Sequence, residues 1–558
     1  MKDSIKYLLI ALAGALLFVP LLGHVHLFDW DEVNFAECTR EMIISKDYLR
    51  AQIDFMPFWE KPPFFIWMQV LAMKCFGVGE FAARLPNAIV GVITLCTLFY
   101  AGKKVRDEKM GLLWVILYVT SWLPHFYFKS GIIDPTFNLF IFLSWLQIYL
   151  ILHDTKRLRH AALAGIFLGL AVLTKGPVAI LVVSLSALVF VISKKGLGGY
   201  KVGELLLIIL CAALPIALWL GAAVLNYGAV FGKWFIGEFL AYQVRLFTTE
   251  DSDHGGPFFY HFVVLLIGCF PAVILLFQYR IKRSSVISAT AAFNSWMWIL
   301  FGVVLILFSI VKTKIVHYSS LCYFPLTWLA AVQLYKLLDG ETTIRKGVKV
   351  LLIGIGSIWA LLLIALPIVG INKDKLIPHI EDPFAVGNLQ AHVPWSYAEC
   401  TFGVAYLVII IGAVVLMQRN IGRGLMVLAV AQIAAIQFTI YHFTPKIEAY
   451  SQRAAIDFYA SQQGKNVYIR PLGYKSYAHL FYSRKLQQNE LPYAILNERD
   501  SVSGTERPPH VNEAWLLNGN ITKPVYFVCK VQDKIKYMAM PQLEMLYEKN
   551  GFVFFKRK

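Results

Sequence analysis

The sequence predicts a polytopic α-helical membrane protein that ends in a small α/β domain, and three observations carry that prediction. Of 558 residues, 58% are hydrophobic and 16% charged, which leaves more apolar surface than one water-soluble core can hide. About thirteen stretches approach the roughly 20 apolar residues a helix needs to cross a bilayer. After Pro445 the hydrophobicity drops and soluble patterning begins. The expected division is a membrane unit over 1–444, containing a non-spanning stretch at 28–80, and a soluble unit over 445–558.

In chain order, the first span is Tyr7 to Leu27, behind Lys2 and Lys6; no small-residue cleavage site trails it, so it reads as a retained anchor with a cytoplasmic N-terminus. Phe28 to Glu80 does not span. Within it, Ala36 to Met42 reads as an amphipathic helix, and the aromatic Phe64 to Phe76 as a juxtamembrane helix in the interface. The next spans are Phe81 to Ala101, Met110 to Phe126, Ile132 to Leu152, Ala161 to Leu173 and Pro177 to Ile192, the last two readable as one broken hairpin with Thr174-Lys175-Gly176-Pro177 at its tip. Leu205 to Leu225, Phe258 to Phe277, Ser295 to Val311, Tyr318 to Leu334, Leu351 to Val369, Thr401 to Met417 and Leu425 to Tyr441 complete the series. The tail reads as a helix at Arg453 to Gln463 and strands at Asn466 to Arg470, Val525 to Lys530 and Gly551 to Phe555, about a hundred residues in all.

Charge sets the orientation. Lys103, Lys104 and Arg106, then Lys156, Arg157 and Arg159, then Lys194, Lys195 and Lys201 fall in alternate loops, and Arg280, Lys282, Arg283, Arg345, Lys346, Lys349, Arg419 and Arg423 continue the alternation. Those loops are expected in the cytoplasm. The other loops, with Asp31, Glu60, Asp134, Lys175, Asp251, His254 and the tail, then face the opposite side. This placement accounts for much of the formal charge of +17 through topology and anionic lipid, and argues against nucleic acid as a partner. The eight cysteines form no CxxC pair and no metal spacing.

The candidate chemistry therefore lies outside the cytoplasm. Asp31 and Glu32 stand where a helix leaves the membrane, where a carboxylate is costly unless it has a role. Asp31 is readable as a helix cap, or as a base that takes an acceptor's proton during attack at a sugar's anomeric carbon. Asp134, before Pro135, is readable as a cap or as a partner to Asp31. In Glu60-Lys61-Pro62-Pro63 the proline pair stiffens the backbone, and the adjacent charges suit a divalent cation and a phosphate, or an exposed ion pair. Arg245, His254 and Pro257 to His261 belong to one loop and the helix entry after it, where Arg245 suits a lipid phosphate. Lys312, Lys314, His317 and Tyr318 cluster at a helix exit, as phosphate ligands or as lysines snorkelling to headgroups. Carboxylates and cations together suit heterolysis of a glycosyl phosphate, in which negative charge develops on the leaving phosphate. No glycine-rich nucleotide fingerprint is present.

The series Asp31-Glu32, Phe35-Ala36-Glu37, Arg40-Glu41-Met42, Glu60-Lys61-Pro62-Pro63, Ala83-Arg84-Leu85-Pro86, Leu173-Thr174-Lys175-Gly176-Pro177 and His254-Gly255-Gly256-Pro257-Phe258, with Lys314 and Tyr318 ahead of Pro325, resembles the GT-C membrane glycosyltransferases. The resemblance is to the bacterial aminoarabinose transferase and protein O-mannosyltransferase-like superfamily. It implies GT-C architecture and inverting transfer of a sugar from a polyprenyl phosphate, undecaprenyl phosphate by preference, at the periplasmic face of the inner membrane, with a lipid A-like, glycan or protein acceptor. It further implies Asp31 as the acidic residue that acts at the acceptor, Asp134 as its supporting acid, Glu60 as a metal-associated carboxylate, and Lys61, Arg245, Lys314 and Tyr318 as carrier-phosphate contacts. Glu32, Arg84, Lys175 and His254 are further candidates from the same motifs. Asn34 stands where the aminoarabinose transferases tend to place Arg, and Phe58-Trp59 replaces a tyrosine-containing approach to Glu-Lys-Pro. The rival class, a lipid-linked sugar flippase or secondary transporter, predicts charges at helix centres. Here they gather at one face.

Overall fold

The computed structural model describes residues 3–248, 255–279, 289–486 and 509–558. Within them, nine helices are long and apolar enough to cross a membrane, or ten if the bent pair Tyr260–Gly268 and Ala272–Gln278 is one span. The protein is thus a multi-span helical membrane protein. All thirteen expected stretches fall on helices, and the difference in count has local causes. Asp3–Phe18 has 16 residues, about 24 Å of rise, and Val178–Lys194 has 17. Glu108–Val119 breaks at Thr120-Ser121 before Trp122–Tyr127. The bent pair turns by 104° at Pro271.

Close packing follows from small residues at helix contacts. Arg157–Lys175 lies so near Val202–Tyr227 that a Cβ on Gly165 would sit 2.3 Å from the Ile208 carbonyl oxygen. A helix the sequence reading did not foresee, Ala229–Thr248, returns from the second of these toward the first loop. Its Phe235 and Phe239 join Trp59 and Trp219 in one buried aromatic cluster, so that Trp59 is an anchor for the turn that follows it.

The first loop is ordered throughout. The Asp31–Ser45 helix leads into an antiparallel hairpin, Gln52–Ile53 with Met56–Pro57, and then the Phe64–Phe76 helix. The amphipathic expectation for Ala36 to Met42 is corrected here: Glu32 through Met42 are all buried, because the tail covers the face that would otherwise meet solvent.

The tail carries a four-stranded sheet in the order Tyr468–Leu472, Val525–Lys530, Phe552–Arg557, Leu543–Lys549. The first pair is parallel and the others antiparallel. Leu543–Lys549 was not expected, since this edge strand is exposed at all but its first residue and has no apolar alternation to read. The tail is tied to the first loop by several hydrogen bonds. Tyr482 Oη accepts from the Leu27 amide at 2.7 Å, Gln452 donates to the Leu27 carbonyl at 2.6 Å, and Arg40 donates to the Lys485 carbonyl at 2.7 Å.

Candidate active site

Three helix termini and one turn bring the expected charges together. Asp31 and Asp134 are each the first residue of a helix; the capping positions are Trp30 and Ile133, neither with a side-chain cap bond, so both carboxylates are directed elsewhere. Lys175 is the last residue of Arg157–Lys175, and His317 lies in the short 3-10 helix Val316–Cys322 that leads into Tyr323–Leu338. Lys61 stands in the turn that Pro62 and Pro63 stiffen ahead of Phe64–Phe76.

His317 Nε2 lies 3.7 Å from Asp31 Oδ2 and 3.9 Å from Asp134 Oδ2, so the imidazole bridges the two acids. Lys175 Nζ donates to Asp134 Oδ1 at 2.6 Å and approaches the Tyr318 ring centroid at 5.2 Å. Lys61 Nζ donates to Glu60 at 2.8 Å, and its charge bears on both Asp31 and Tyr318. Exposure separates the acids: the Asp134 side chain is 3% exposed and that of Asp31 27%, which leaves Asp31 the one open to an incoming group. Burial pushes the Asp31 carboxyl above its ordinary range, against the pull of His317 and Lys61. For Lys61, burial works to lower the ammonium, while Glu60 and then Asp31 outweigh it and hold it above its ordinary range. Lys61 is therefore a fixed positive charge.

Gln243 was not foreseen. It is buried in Ala229–Thr248, and its amide donates to the carbonyls of Trp59 and Glu60 at 3.3 Å each. A Cβ on Gly176, which has φ +93°, would come within 2.6 Å of Gln243 Oε1. Gln243 thus fixes the Glu60-Lys61 turn beside the end of the Lys175 helix. A single glutamine in an aromatic stretch carries no sequence signal for such a role. For His317 a signal existed, its place beside Tyr318, but not its role between two acids.

Other expected site residues lie elsewhere. Glu32 and Arg84 form a buried bidentate pair at 2.9 and 2.7 Å. Arg84 also donates to the carbonyls of Leu22, Val25 and His26, and Glu32 accepts from the amides of Phe28 and Gly131. Every strong hydrogen-bonding direction of the pair is taken up within the fold. The Lys314 ammonium donates to the carbonyls of Phe308, Ser309 and Val311 at 3.1, 2.6 and 2.5 Å, closing the end of Ala289–Ile310. Arg245 lies in Ala229–Thr248, with its side chain outside the described residues, as is His254 altogether.

The donor set does not fit the divalent cation expected at Glu60. Lysine ammoniums already stand on Glu60 and Asp134, in the positions such a cation would take, and no group of three or more His, Cys, Asp or Glu among the described residues is placed to hold a metal.

A family model described as dolichyl-phosphate-mannose-protein mannosyltransferase matches residues 60–219. The chain resembles the GT-C glycosyltransferases of the aminoarabinose transferase type. An undecaprenyl phosphate-alpha-4-amino-4-deoxy-L-arabinose arabinosyl transferase of Edwardsiella ictaluri is 27% identical over 62% of this chain and 63% of its own length, so the match spans less than two thirds of that relative. A protein of the same name from Pectobacterium carotovorum is 26% identical over 73% of this chain and 75% of its own length. In fold, the chain is similar to the crystal structure of ArnT from Cupriavidus metallidurans bound to undecaprenyl phosphate, with a TM-score of 0.75 at 18% identity over 100% of this chain and 98% of that one.

Proposed function

We propose that this chain is an inverting glycosyltransferase that moves a sugar from a polyprenyl phosphate, undecaprenyl phosphate in particular, to an acceptor hydroxyl at the periplasmic face of the bacterial inner membrane. The observation that carries the reading is the convergence of Asp31 with Lys61, His317 and the Asp134–Lys175 pair. Asp31 takes the proton of the acceptor hydroxyl as its oxygen attacks the anomeric carbon. The bond from that carbon to the carrier phosphate breaks, and the electron pair leaves with the phosphate. Lys61 meets the negative charge that develops there, with the Tyr318 hydroxyl beside it. A single displacement inverts the anomeric centre. Asp134, held by Lys175, keeps His317 oriented toward Asp31. Each step draws on groups of the chain itself.

Asp134, Lys175 and His317 stand at helix ends, which supports chemistry at a surface over the flippase or transporter reading, whose charges belong at helix centres. Residues 445–558 form, in this reading, a periplasmic domain that covers the site. The relatives' names support an aminoarabinose donor, and the acceptor is a lipid A-like, glycan or protein group. Purified protein incubated with undecaprenyl-phosphate sugars and candidate acceptors, with products read by mass spectrometry, tests the reading: transfer with inversion supports it, and carrier movement across the bilayer without transfer overturns it.

A further inference from the structure

The tail meets the first loop around a second cluster of charge. A cavity between them is lined by Asp54 of the loop hairpin and by Lys465, Arg470, His479, Arg484 and Lys485 of the tail. Four permanent cations face one carboxylate, and Asp54 is already paired with Lys485. Lys465 reaches the amide oxygen of Gln462 at 3.3 Å. Arg484 donates from Nη2 to the Val78 carbonyl at 2.9 Å, while its Nη1 is buried with no hydrogen-bond partner among the described residues. Of the charges that bear on Arg484 from outside the cavity, Arg40 is matched by its own bidentate partner Glu37, and Glu80 adds one carboxylate. The cations still outnumber the acids. His479, 2% exposed, is held neutral, its imidazole pulled down to about 3 by burial and then by Arg470.

A buried guanidinium nitrogen without a partner, such as Arg484 Nη1, is costly, and a bound anion relieves it. Two guanidiniums and two ammoniums line the cavity, which suits a compact anionic group. Guanidinium groups match phosphate oxygens with two parallel donors. We propose that this cavity is an anion site for a phosphate monoester, distinct from the Asp31 cluster and joining the tail to the first loop. Its occupancy reaches the Asp31–Ser45 helix through Lys485, whose carbonyl accepts from Arg40 and whose ammonium holds Asp54.

The test uses the full-length protein in detergent, titrated with inorganic phosphate by calorimetry. A saturable event retained in Lys61→Ala and weakened at least about tenfold in Arg470→Gln is expected, the loss of one or two charge-assisted hydrogen bonds. Arg470→Gln spares the Arg484 contact to Val78, and thermal unfolding checks that it folds; Lys465→Gln, at an exposed side chain, repeats the test. In nanodiscs, competition by phosphatidic acid but not phosphatidylcholine assigns the group to a lipid headgroup, and no competition assigns it to a soluble phosphate. Phosphate binding unchanged in both tail variants, or abolished by Lys61→Ala alone, overturns the proposal.

Discussion

Lys175 Nζ lies 2.6 Å from Asp134 Oδ1, joining the end of one candidate span to the start of the span before it. The pair leaves Asp134 Oδ2 toward His317, and His317 in turn toward the more exposed Asp31. In the proposed mechanism Asp134 is the fixed anchor and Asp31 the acid that meets substrate.

Asp31→Asn is expected to abolish sugar transfer and leave the protein folded, since Asp31 makes no capping bond for its helix. Loss of general-base catalysis costs about 10²–10⁴-fold in rate. Transfer assays beside thermal unfolding check both halves; a fully active Asp31→Asn would remove Asp31 from the mechanism.

The acid limb of the pH profile is expected above the ordinary aspartate value of 3.8, because burial raises the Asp31 carboxyl and activity needs it ionised. Activity therefore falls as the pH drops through that raised value. Lys61→Met and His317→Gln each remove a positive influence on Asp31, so the limb moves to still higher pH. Profiles of kcat/KM for the three proteins supply the comparison.

Lys61→Ala is expected to raise the KM for the polyprenyl-phosphate sugar by losing one charge-assisted contact, about 1.5–3 kcal/mol. Donor titrations measure it, and an unchanged donor KM would place the phosphate elsewhere.

Arg84→Met is expected to act on folding. It leaves Glu32 buried without its partner, a loss of about 3–5 kcal/mol for a broken buried pair. Burial works to raise the Glu32 carboxyl, and Arg84 outweighs it to hold the group below its ordinary 4.5. The depressed value means that this stabilisation is present above pH 4.5 and lost as pH falls through the folded-state value. Thermal unfolding across pH, in wild type and variant, reads both effects.

Lys314→Met is expected to lower the unfolding temperature without changing the donor KM, because its ammonium closes a helix end and does not face the cluster. A raised donor KM in a stably folded variant would restore it to the site.

The sequence by itself determined the membrane class, a helix within each apolar stretch that it predicted, the Phe64–Phe76 helix and three strands of the tail, because hydropathy and alternation are properties of neighbouring residues. It also placed Asp31, Lys61, Asp134, Lys175 and Tyr318 among the candidates. Only the tertiary structure showed which partner each charge meets, since what a buried charge does depends on the group that stands across from it, and for Glu32 and Asp134 that group is distant in sequence. Arg84 is 52 positions from Glu32, and Lys175 is 41 from Asp134. Burial drives both ions of each pair to meet; the fold alone decides which pair joins the Asp31 cluster and which is sealed apart from it.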